Sequence, residues 1–149
     1  MNNKEQRRNI YFCLAAMVAG FILPVAAWSE LVTVSQVVRV YDGDTITVDI
    51  AEWPAIVGDD IGVRIRGVDT PELRGKCEEE KIAARSAREF TRAMVMNADT
   101  VTLSGIERGK YFRIVADVYA DGVSVSGALI ESGFGRAYDG GRRSNPDFS

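Results

Sequence analysis

The sequence predicts an α+β domain, mainly β, built on one small and strongly curved antiparallel sheet that carries one long and one short helix. Three observations carry this. Short runs rich in Val, Thr and Ile alternate with Asp-Gly turn signals. One stretch, Glu78 to Asn97, changes from a period of two to spacings of three and four. The chain has 149 residues, 46% of them hydrophobic, which suits one compact core and is too short for two.

The elements follow in chain order. Leu31 to Ile50 reads as two strands meeting at Tyr41-Asp42-Gly43-Asp44, a β-hairpin, and Ala51 to Asp60, with Trp53-Pro54 and Gly58-Asp59-Asp60, reads as a loop. Ile61 to Val68 alternates Ile61, Val63 and Ile65 against Gly62, Arg64 and Arg66, so the two arginines share the face opposite the apolar one. Between Glu78 and Asn97, Ala83, Ala87, Phe90 and Met94 form the apolar stripe of an amphipathic helix, and Arg85, Arg88 and Arg92 lie off it as a solvated face. Thr100 to Leu103 and Tyr111 to Tyr119 are strand-like, Ala120-Asp121-Gly122 is a turn, and Val125 to Glu131 makes a short helix ended by Gly133. A five-stranded barrel of the oligonucleotide-binding type suits this order.

Residues 1–27 have a different character. Lys4, Arg7 and Arg8 precede an apolar run from Ile10 to Trp28, and Val25-Ala26-Ala27 offers small residues for cleavage. This is an export signal or, if it is retained, a membrane anchor; in both cases residues 28–149 form a domain outside the cytoplasm, periplasmic or extracellular. Cys13 falls in the apolar run, which leaves Cys77 alone in the exported part, a free thiol or an intermolecular partner. Without residues 1–27 the chain holds 15 basic and 20 acidic residues, net −5, so a grip on phosphates cannot come from its overall field. It needs a local cluster of Arg and Lys, or a bound cation. The absence of His excludes His-based triads, imidazole bases and most zinc sites, leaving acid–base work to carboxylates, Lys, Tyr or Cys.

Taken one at a time, the polar motifs have plain readings. Asp42-Gly43-Asp44-Thr45 is a common way to close a hairpin, and Asp69-Thr70-Pro71-Glu72 could be a solvated loop in which Pro71 holds Thr70 extended. Arg113, among the apolar residues of Tyr111-Phe112-Arg113-Ile114-Val115, either points outward or serves a site, because a charge buried in a strand needs a partner.

Together and in order, Val40-Tyr41-Asp42-Gly43-Asp44-Thr45, Arg64 with Val68-Asp69-Thr70-Pro71-Glu72, Lys110-Tyr111-Phe112-Arg113, and Val118-Tyr119-Ala120-Asp121-Gly122 resemble the staphylococcal nuclease (thermonuclease) family over residues 33–138. The resemblance implies that family's five-stranded barrel and a calcium-dependent endonuclease of little sequence specificity, acting on DNA and RNA and leaving 5′-hydroxyl and 3′-phosphate ends. It implies that Asp44 and Asp69 bind Ca2+ through their carboxylates and Thr70 through its carbonyl. Glu72 matches the general base, and Arg64 and Arg113 match the guanidinium groups that clamp the reacting phosphate. Lys110, Tyr111 and Tyr138 match positions at the nucleotide site. The protein is expected to act as a monomer. An interaction module that has lost catalysis is the alternative within the same fold, and the filled positions favour the enzyme. Three departures stand out: the Trp-Pro centre of the 51–60 loop, a shorter connection from Glu72 to the long helix, and an ending of Asp147-Phe148-Ser149 in place of the C-terminal helix or the Trp-Cys pair of relatives.

Overall fold

The computed structural model describes residues 31–75 and 77–141; the expected signal or anchor of residues 1–27 and the terminal residues 142–149 lie outside them. Among the described residues no helix is long and apolar enough to cross a membrane.

The hairpin forms as its sequence implies. Strands β1 (Val32–Thr33) and β2 (Gln36–Asp42) are two parts of one extended stretch, and β2 pairs antiparallel with β3 (Thr45–Asp49), placing Asp42 opposite Thr45. The one-turn helix α1 (Ala55–Gly58) interrupts the expected 51–60 loop. Strand β4 (Ile61–Ile65) then lies antiparallel to β3, with Thr45 opposite Arg64. The single strand expected from Ile61 to Val68 is in fact two. The chain breaks at Gly67, whose φ of 82° suits only glycine, and β5 (Gly67–Asp69) leaves the main sheet.

The long helix α2 spans Glu78–Asn97, as the periodicity predicts. Its innermost residues are Ala84, Ala87, Thr91 and Val95, with Phe90 and Met94 flanking them, so the buried stripe sits about one position round from the expected one. Small residues at the centre of that face let the helix approach the hairpin turn closely, which bulkier ones would prevent.

Strand β6 (Val101–Arg108) is longer than expected, with a bulge at Gly105 (φ 57°), and pairs antiparallel with β7 (Ile114–Ala120). The strand expected to begin at Tyr111 therefore begins three residues later. Arg113 belongs to the preceding turn and not to a strand interior. Strand β8 (Val123–Ser124) and helix α3 (Val125–Glu131) follow; Ser124 caps α3 by accepting from Gly127 N, and Gly133 (φ 74°) ends it. Strand β9 (Arg136–Tyr138) pairs antiparallel with β5.

The main sheet runs β1-β6-β7-β4-β3-β2, with β8 beside β7 and one parallel pair, β4 with β7. Its two edges are the same stretch of chain: Val34 N donates to Val101 O at 2.9 Å while Ser35 N donates to Asp49 O at 2.8 Å. The sheet therefore curls round a core of Ile46, Val48, Val63, Ile65, Leu103 and Val118, closed at one end by Val125 and Leu129 of α3. The mainly β architecture with one long and one shorter helix is as expected. The polar face of β4 looks away from that core.

Candidate active site

The site is built around a carboxylate drawn into the protein by its backbone. Gly43 is glycine for want of space: a Cβ there would lie 2.8 Å from the Ala87 Cβ of α2 and from the Thr70 side chain. Thr91, fully buried on α2, donates from Oγ1 to Gly43 O at 2.6 Å, and Ile65 N donates to Asp44 O at 2.8 Å. The hairpin turn is thus held between a helix, a strand and a loop, and Asp44 is only 1% exposed.

The pairing of Thr45 with Arg64 sets Arg64 beside it. One guanidinium nitrogen of Arg64, Nη1, bonds Asp44 Oδ1, and the other, Nη2, donates to Asp69 Oδ1 at 2.9 Å. Thr70 N donates to Asp44 Oδ2 at 3.0 Å and Thr45 Oγ1 to Asp44 Oδ1 at 3.1 Å. The second arginine of the same face, Arg66, turns to other work, donating to Gly105 O at 2.6 Å and pairing with Asp117 and Glu107. The glycine bulge of β6 admits it.

Burial pushes the Asp44 carboxyl up from the usual 3.8 to about 7; the Arg64 charge and the Thr70 amide pull it down by less, and the neighbouring Asp42 adds to the rise. Asp42 Oδ1 and Thr70 Oγ1 are both buried without a hydrogen-bond partner. A buried carboxylate that resists ionising, beside orphaned hard oxygens, is a donor set that a hard cation fits. Among the described residues no three Asp, Glu, Cys or His side chains converge tightly enough to hold an ion by themselves. A cation here would therefore also draw on main-chain, hydroxyl, water or substrate oxygens, as calcium with its six to eight ligands does.

Asp44, Arg64, Asp69 and Thr70 line an open cleft of about 570 Å³ together with Glu72, Lys110, Arg113 and Tyr138. Glu72 is exposed just after the buried Pro71. Arg113 is steered by Gly62 of β4, where a Cβ would come within 2.9 Å of the arginine Cγ, so its stem lies across the strand. Tyr138 reaches the cleft through the β5–β9 pairing, Gly67 opposite Tyr138. Tyr111 is not in the lining and stands 85% exposed. Two charged lining residues were not singled out as site residues from the sequence, Asp42 and Arg108. The doubled acid of Asp42-Gly43-Asp44 was the signal for the first; nothing local marks Arg108, which a strand longer than expected carries to the rim.

The lining sets Arg64, Arg108, Lys110 and Arg113 against Asp42, Asp44, Asp69 and Glu72, a balance that one divalent cation would tip positive. A curled β-sheet that sets acids and arginines in one open cleft is an arrangement suited to handling phosphate esters. A family model described as staphylococcal nuclease homologue matches residues 62–147, more than half of the chain, and the chain belongs to that family. Membership makes it a nuclease-type hydrolase domain with nucleic acid as its class of substrate. The matched stretch contains Arg64, Asp69, Thr70, Glu72, Lys110, Tyr111, Arg113 and Tyr138 but starts after Asp42 and Asp44. Those two reach the site only because β3 pairs with β4.

Proposed function

We propose that the protein is an exported, monomeric, calcium-dependent endonuclease that hydrolyses DNA and RNA with little sequence specificity and leaves 5′-hydroxyl and 3′-phosphate ends. We read its curled sheet as the family's five-stranded barrel, β1 and β2 forming one strand with β3, β4, β7 and β6 as the others. The observation that carries the activity is the convergence of Asp44, Arg64 and Asp69 in one bonded cluster that lines the same cleft as Glu72 and Arg113.

Asp44, Asp69 and the Thr70 carbonyl are the residues that would hold Ca2+, which when bound neutralises charge building on the phosphoryl oxygens. Arg64 bonds both carboxylates through one edge, so it is locked in place while other N–H groups of its five-donor fork remain for phosphate. Arg113 reaches the cleft on a stem that Gly62 makes room for, and no ion pair of Arg113 within 4.0 Å occurs among the described residues. Glu72, exposed at the cleft, takes the proton from the attacking water, since no imidazole exists to do so. The side chains aimed into the cleft suit phosphates more than base edges, which supports low sequence specificity.

The test is cleavage of single-stranded DNA and of RNA by the purified protein in calcium and in excess chelator. Cleavage only with calcium supports the reading. Equal cleavage in chelator removes the metal from it, and no cleavage in either removes the activity.

A further inference from the structure

The 51–60 connection takes no part in the cleft, yet it presents five apolar residues in succession, Trp53, Pro54, Ala55, Ile56 and Val57. Trp53 packs partly against the core, and beyond it the chain turns outward: Ile56 is 93% and Val57 48% exposed. The backbone braces this shape. Ile50 N donates to Gly58 O at 2.8 Å, Val57 N to Pro54 O at 2.8 Å and Asp59 N to Ala55 O at 3.1 Å. Gly58 permits the fold-back, since a Cβ there would lie 2.7 Å from Ile50 O and 3.0 Å from Trp53 O. A contiguous apolar tip on a braced turn marks a contact surface.

The chain itself indicates what covers the tip. The base of the tip is tied to the start of the fold, where Ala51 N donates to Ser35 Oγ at 2.7 Å. Ser35 follows Trp28 closely in the sequence, by a link of at most about 25 Å. The uncharged run from Ile10 to Trp28 has about the 20 residues that one membrane span requires, with Lys4, Arg7 and Arg8 before it and a tryptophan at its outer end. Residues 28–149 hold 15 basic and 20 acidic residues, and Glu52, Asp59 and Asp60 flank the tip, so charge does not draw it to anionic lipid. An apolar contact remains. We propose that the run is retained as an anchor and that the Trp53–Val57 tip inserts into the outer interface of the same membrane, among zwitterionic headgroups beside the span. One isoleucine and one valine bind a bilayer weakly from solution, and the span supplies the local concentration that makes the contact persist. Strand β3 runs from Thr45, opposite Arg64, to Asp49 near the base of the tip, so about 13 Å of strand separates the site from the docked end. The inference goes beyond the nuclease reading; it rests on export with the N-terminal run retained and not on catalysis.

Fluorescence is the readout, so failure here leaves the cleavage test untouched. The chain has two tryptophans, and Trp28→Phe leaves Trp53 as the single reporter. With the full-length protein at one copy per phosphatidylcholine nanodisc, lipid brominated near the headgroup is expected to quench Trp53 emission about twofold relative to unbrominated lipid. Ile56→Asp should restore the unquenched emission without changing the melting temperature, because that side chain is 93% exposed. Adding phosphatidylglycerol should leave the quenching unchanged. Unquenched Trp53 in the parent, equal quenching in Ile56→Asp, or quenching that requires phosphatidylglycerol would each overturn the proposal. So would shielding of Trp53 that appears only with two copies per disc, which assigns the tip to a second copy, or an intact mass from the producing cells that lacks residues 1–27.

Discussion

Replacing Asp44 by Asn is expected to stabilise the metal-free protein at alkaline pH, although it deletes half of the most buried ion pair. Asp44 titrates at an ordinary 3.8 when unfolded and at about 7 when folded. Between those values the folded state binds a proton that the unfolded state does not. The stability tied to that proton is fully present below 3.8 and is lost as pH rises through 7. At about 1.4 kcal/mol per pH unit the full gap amounts to about 4 kcal/mol, an upper bound for a group that shares its field with Arg64 and Asp42. Between pH 5 and pH 8 the parent should lose about 2 kcal/mol relative to Asp44→Asn. The amide keeps an acceptor for Thr70 N, and Arg64 keeps Asp69 at 2.9 Å. Urea denaturation of both proteins in chelator, at half-unit steps across that window, measures the difference directly. If Asp44→Asn is less stable than the parent at pH 8, or if the difference between them does not grow with pH, the account of a carboxylate held against its ionisation is wrong. Calcium at pH 8 should reverse the order, stabilising the parent more than the variant.

Three other substitutions separate chemistry from scaffold. Glu72→Gln should lower the cleavage rate by about 10²- to 10⁴-fold with little change in oligonucleotide affinity; a rate like the parent's would take Glu72 out of the base role. Gly43→Ala forces a methyl to within 2.8 Å of Ala87 Cβ and Thr70, and should cost about 1–3 kcal/mol in urea denaturation while disturbing the turn that holds Asp44. Thr91→Val keeps the volume on α2 but leaves Gly43 O without its 2.6 Å donor, for a loss of about 1–3 kcal/mol by the same assay.

The legible features were those that repeat with a local period. Helix α2 has the bounds its spacing predicts, and so does α3, because apolar periodicity and a terminal glycine are written in consecutive residues. Periodicity did not show where Gly67 breaks the strand, or that Phe112 and Arg113 leave β7 for a turn. An apolar or aromatic residue in a left-handed turn looks, in a string of letters, like one in a strand. Local reading also left Asp42 and Asp44 as residues of a common turn. Only the order of four motifs set them beside Arg64 and Glu72, and Arg108 carried no signal at all.

By itself, then, the sequence determined the mainly β class, the two principal helices, the lack of any histidine for catalysis, and the candidate residues through their ordered resemblance. Tertiary structure alone decided that Asp44 is buried and reluctant to ionise, that Arg64 serves the cleft while Arg66 serves a bulge, and that the rings of Tyr111 and Phe112 stand exposed. The reason is physical. A residue's period is set by its neighbours in the chain, but its desolvation and its partners are set by strands far apart in sequence, here β3 against β4 and β4 against β7.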